Sequence, residues 1–67
     1  MRTAIIKRGI TAPIEVDIYF DGHFIASIRC QDYEVDDNMI ICIHEGYNSY
    51  IYADDYTVTT WRHNYAN

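Results

Sequence analysis

Asp32, Glu34, Asp36 and Asp37 bring four carboxylates within six residues. Asp32, Glu34 and Asp36 have the i, i+2, i+4 spacing that opens a calcium loop. The match stops there. Asp37 stands where the sharp turn needs glycine, and Ile43 stands where a bidentate glutamate belongs. The expectation is a solvated acidic segment that keeps an edge soluble, with no metal site.

The thiols are the next candidates. Cys30 and Cys42 are separated by eleven residues and form no CxxC pair. Thiolate metal sites use closely spaced pairs, so two buried free cysteines on strands are expected. Cys42 and His44 form an i, i+2 pair, about 6–7 Å apart at Cα on a strand. That distance permits a Cys–His hydrogen bond. No orienting third group or oxyanion site accompanies the pair. Ser27 and Ser49 sit in no nucleophile elbow. The three glycines, at 9, 22 and 46, are too dispersed for a phosphate loop. The chain reads as non-enzymatic, without a cofactor.

Tyrosine is the most unusual component: there are seven, and aromatic residues reach 15%. Tyrosine offers a large contact area at low entropic cost, with a polar end that tolerates water, and is enriched at interfaces. Tyr50 and Tyr52 share a strand face and, with Tyr56, are expected largely to wrap the core. Tyr33, in the acidic segment, and Tyr47, in a turn, are the better interface candidates. With the nearby acids they define the expected binding set: Tyr33, Glu34, Asp36, Asp37, Tyr47, Asp54 and Asp55, all read as loop or turn positions.

The elements that must position these residues are strands. Ile14, Val16, Ile18 and Phe20 alternate with Glu15, Asp17, Tyr19 and Asp21, the pattern of a half-buried strand with an acidic outer face. Asp21-Gly22 follows. Asp-Gly between alternating stretches is the strongest short-range hairpin signal, because a type I′ turn needs positive φ at both central residues. The partner strand is 23–30, with Phe24, Ala26, Ile28 and Cys30 on one face. Residues 3–8 read as a first strand, closed by Gly9 and a turn at 11–13. Residues 31–38 read as a loop, with one short helix as the alternative. Residues 39–44 form an apolar strand and 45–48 a turn. Residues 50–53 and 56–61 are rich in β-formers. Residues 63–67 read as a frayed tail. The expected fold is all-β: an antiparallel meander of five or six strands, barrel-like or a two-layer sandwich, in one domain over 1–67.

Size and charge narrow the function classes. Sixty-seven residues allow one small core of about 3–5 kcal/mol, which a partner subunit often supplements. The net charge is −5, from ten acids and five bases, which disfavours direct binding to nucleic acid or anionic lipid. It permits binding to a basic protein surface. The first twelve residues carry Arg2, Lys7 and Arg8 and no acid. All ten acids lie between 13 and 61, opposed only by Arg29. Two cysteines are too few for a disulfide framework. No apolar run approaches the ~20 residues of a membrane span. A cytoplasmic protein with free thiols is expected.

In size, charge and β-richness the chain resembles the small acidic proteins that phages use to disable host defence, including anti-CRISPR proteins and nucleic-acid mimics. No motif carries the resemblance, so it assigns no residues. It implies an inhibitor that engages a basic surface on a larger host protein or complex that handles nucleic acid. The alternative is a homo-oligomeric structural or accessory protein of a phage or mobile element, with edge strands paired across a two-fold axis.

Overall fold

The computed structural model describes residues 1–9 and 13–61. They form seven strands and no helix: β1 (Arg2–Gly9), β2 (Ile14–Phe20), β3 (His23–Cys30), β4 (Asp32–Asp36), β5 (Met39–Ile43), β6 (Asn48–Tyr52) and β7 (Asp55–Trp61). Two open sheets result, ordered β3-β2-β1-β7 and β4-β5-β6. The all-β expectation holds. The strand count rises from five or six to seven, and there is no closed barrel. The turn expected at 11–13 and the tail at 63–67 fall wholly or mainly outside the described residues.

The additional strand is β4, where a loop was expected. Asp32-Tyr33-Glu34-Val35-Asp36 alternates polar and apolar, and the period, not the acidity, decides its structure. Tyr33 and Val35 pack against the core, while the three acids face solvent. Asp37 and Asn38 turn the chain into β5, with Asp37 at φ 59°.

The β2–β3 hairpin forms at Asp21 (φ 51°) and Gly22 (φ 82°), both in the left-handed region that the type I′ turn demands. One face is corrected. Ile18 is opposite Ala26 but Tyr19 is opposite Phe24, so Ile25 is an extra residue in β3. This bulge flips Phe24 away from Ala26, Ile28 and Cys30. Phe24 instead meets Tyr19 edge-on, ring centroids 5.7 Å apart.

The expected single meander is also broken twice, because β3 and β4 lie in different sheets and β7 returns to the first. Strands β1–β2–β3 and β4–β5–β6 are antiparallel meanders, but β7 lies parallel to β1. A clamp between the sheets explains this. The Asp54 N–H donates to the Arg2 carbonyl at 2.8 Å, and the Arg2 N–H donates to Asp54 Oδ2 at 2.8 Å. The chain leaving β6 is thereby set beside the start of β1, and β7 runs in the same direction.

The two sheets share one core. Ala4, Ile6, Ile14, Val16, Ile18 and Cys30 come from the larger sheet, and Ile40, Cys42 and Ile51 from the smaller, with Ala53 just beyond it. Strand β7 overhangs this core. Its Tyr56 and Val58 lie beside Ala4 and Ile6 on the core-facing side, yet remain 40% and 44% exposed.

Candidate functional site

On the outer face of the larger sheet the acids are neutralised. Asp17 is 4% exposed; its carboxylate accepts from Lys7 Nζ at 2.7 Å and Ser27 Oγ at 2.8 Å. Burial pushes the Asp17 carboxyl up, but the Lys7 and Ser27 hydrogen bonds outweigh it and hold the group below its ordinary value. The hydrogen bond to Asp17 in turn raises Lys7. Glu15 lies 3.7 Å from both Lys7 Nζ and Arg29 Nε. Asp21 pairs with the Met1 amino group. The acidic outer face expected from Glu15, Asp17 and Asp21 is therefore an internal charge network, with little charge left to offer a partner.

The outer face of the smaller sheet differs. Cross-strand register aligns Glu34, Ile41 and Tyr50, then Asp36, Met39 and Tyr52, then Asp32, Ile43 and Asn48. Across neighbouring strands, residues in register share a face. The face is thus striped: a carboxylate row on β4, an aliphatic row on β5 and a tyrosine row on β6. Met39, Ile41 and Ile43 are half-buried, while Tyr50 and Tyr52 are 60% and 64% exposed. Among the described residues, Asp32, Glu34, Asp36 and Asp37 form no ion pair. At one end, Asp36, Asp37, Asn38, Met39 and Tyr52 line a cleft of about 400 Å³.

Of the residues expected to bind, Glu34, Asp36 and Asp37 come together here. Glu34 and Asp36 sit on a strand rather than a loop. Asp54 lies near the same end, lining a groove with Asn38 and Tyr52, although its carboxylate is engaged by the Arg2 backbone. Asp55 opens β7 and accepts from its own neighbour, the Tyr56 N–H, at 2.8 Å. Tyr33 is on the opposite, inward face, half-buried, with the Arg8 guanidinium 5.8 Å from its ring centroid. Tyr47 is exposed but at the far end, stacked on His44 with centroids 4.3 Å apart. The tyrosines expected to wrap the core, Tyr50, Tyr52 and Tyr56, are exposed instead. For Tyr50 and Tyr52 the outward direction follows from Ile51, whose burial turns both of its neighbours to solvent.

The aliphatic row was also absent from the expected set. Its signal is the unbroken apolar run Met39-Ile40-Ile41-Cys42-Ile43. Ile40 and Cys42 fill the core, so the other three must face out wherever no layer covers β5.

The thiols and the imidazole are engaged within the fold. Cys30 and Cys42 are free and buried. Burial, reinforced by Cys30, pushes the Cys42 thiol up to about 12. A thiol so protonated is a poor nucleophile. His44 Nε2 lies 2.9 Å from Ser49 Oγ, so the imidazole is engaged across the β5–β6 turn. Along β4, Asp32, Glu34 and Asp36 are spaced about 6.8 Å apart and do not converge as calcium ligands would. Among the described residues no group of three or more His, Cys, Asp or Glu could hold a metal ion, and no helix is long and apolar enough to cross a membrane.

Compared with known proteins, the chain matches no family model, no curated protein and no solved structure.

Proposed function

We propose that this chain is a non-enzymatic protein-binding module that docks the outer face of its smaller sheet on a basic surface of a larger protein. The observation that carries this reading is the striped face itself. Asp32, Glu34 and Asp36 supply charge that no cation among the described residues pairs, and Met39, Ile41, Ile43, Tyr50 and Tyr52 supply apolar and aromatic contact beside it. An exposed apolar patch rimmed by polar groups marks an interaction surface. The carboxylates steer a basic partner in, while the aliphatic and tyrosine rows lose water on contact.

The specific form is a phage-type inhibitor, anti-CRISPR-like or a nucleic-acid mimic, that occupies the basic groove of a host complex handling nucleic acid. Such a groove binds phosphates through Lys and Arg and bases through stacking. A carboxylate row beside a tyrosine row offers both kinds of contact without being nucleic acid.

The test is affinity capture from bacterial lysate at low and high salt, comparing the wild type with Glu34→Lys/Asp36→Lys and with Tyr50→Ser/Tyr52→Ser. One nucleic-acid-binding complex should be retained by the wild type and lost by both variants. Equal recovery by all three proteins would show that this face is not the docking surface.

A further inference from the structure

Cys30 and Cys42 are the only cysteines of the chain, and they come from different sheets: Cys30 ends β3, and Cys42 lies within β5. Both turn into the shared core, 4% and 0% exposed. Of the strand pairs drawn from different sheets, β3 and β5 make the most extensive contact. The backbone joins them right beside the thiols. The Gln31 N–H donates to the Ile43 carbonyl at 2.9 Å, so the residues directly after the two cysteines are hydrogen-bonded neighbours. Paired backbones of this kind stand about 5.5 Å apart at Cα, a separation that a disulfide spans. Burial raises both thiols, and each also acts on the titration of the other, as groups in close approach do. Access differs between them. Cys30 lines a cleft of about 290 Å³ with Gln31, His44 and Tyr47, whereas Cys42 is fully buried.

We infer that Cys30 and Cys42 are a redox-sensitive pair that closes to a disulfide and staples the two sheets together. The oxidant is a small-molecule disulfide of the oxidised glutathione class. Cys30 gives up its proton and attacks one glutathione sulfur from the cleft. The glutathione S–S bond breaks, and one glutathione leaves as a thiol with that proton. Cys42 gives up its proton and attacks the Cys30 sulfur of the mixed disulfide, and the second glutathione leaves as a thiol. The protein has lost two electrons and two protons, and the oxidant has gained both. The new bond closes the loop 30–42, which contains all of β4, and it restricts the unfolded chain more than the folded one. The free thiols are then the reduced form of the pair. The inference does not depend on the proposed docking.

The test equilibrates folded protein with oxidised and reduced glutathione, quenches in acid, unfolds, alkylates and reads mass. The wild type should lose two hydrogens and both alkylation sites, and proteolysis should yield a peptide linked through Cys30 and Cys42. The folded disulfide should withstand at least tenfold more reduced glutathione than the same disulfide in urea. The oxidised protein should melt about 5 °C or more above the reduced one. Cys42→Ala should stop as a glutathione mixed disulfide on Cys30, and Cys30→Ala should stay unmodified. Glutathione on Cys42 in Cys30→Ala would overturn the assigned order of attack. Two alkylated thiols in the wild type at every redox ratio, chains linked to one another, or a disulfide no more resistant when folded than in urea would overturn the inference. The wild-type measurements decide it even if a variant unfolds.

Discussion

On the larger sheet Asp17 carries its charge beneath Lys7 and Ser27, whereas on the smaller sheet Asp32, Glu34 and Asp36 carry theirs into solvent. The residue types are the same and so is the spacing, one acid at every second position of a strand. The neighbours across the strands differ. Asp17 lies on a central strand, between Ile5 of β1 and Ser27 of β3, with Lys7 one pleat along. Desolvation there would be costly without the ammonium, so the pair is retained as a unit. The β4 acids stand on an edge strand beside aliphatic residues, with no cation among the described residues to claim them. A carboxylate on a strand is therefore structural or available according to what the adjacent strand places next to it.

The largest expected effect tests this difference directly. Lys7→Met should destabilise the fold more than loss of any other outer-face charge, because it leaves the Asp17 carboxylate buried without its cation. Lys7→Met/Asp17→Leu should recover much of the loss, since the uncompensated charge is then gone. Urea denaturation of both variants measures the effect, and an unchanged midpoint for Lys7→Met would remove the ion pair's structural role. Ser27→Ala comes next. It deletes one hydrogen bond to the buried carboxylate and should cost about 1–2 kcal/mol.

The pH dependence sharpens the same comparison. The folded state depresses Asp17, so its contribution is full above the ordinary carboxylate pKa of about 3.9 and is lost as pH falls through the lower folded value. Lys7 is the mirror case. Its folded value is raised, so its contribution is full below about 10.4 and is lost as pH rises through the folded value. A stability profile should show both limbs, and Lys7→Met/Asp17→Leu should flatten them. The smallest effect belongs to the other face. Glu34→Lys/Asp36→Lys should shift stability by no more than about 0.5 kcal/mol, because the side chains are exposed and meet no cation among the described residues. A loss comparable to that of Lys7→Met would mean that the β4 acids hold the fold, and the contrast between the faces would collapse.

Much of the larger sheet is legible in the residues. The Ile14–Phe20 alternation, Asp21-Gly22 and the Thr-Val-Thr run announce strands and a hairpin, because pleat period and turn stereochemistry are local. Three features are not. The bulge at Ile25 reverses Phe24 without a local signature, since it is the β2 register that creates it. The acidity of 32–36 conceals an alternating strand. Nothing in 55–61 says that β7 runs parallel to β1, which depends on Asp54 meeting Arg2, fifty-two residues away.

The candidate face divides in the same way. Composition established an acidic, tyrosine-rich chain with two cysteines, and its alternation and turn signals established the all-β class. Its acidic segment at 32–36 reads as a loop and its 39–43 run as an apolar strand, with nothing to say which rows stay outside. Only the packing of the two sheets decided which side would be covered. Ile40, Cys42 and Ile51 went inward against the larger sheet, and by the two-residue repeat of the pleat Met39, Ile41, Ile43, Tyr50 and Tyr52 were left outside. Burial of one face is a property of two sheets, and no single strand's sequence contains it.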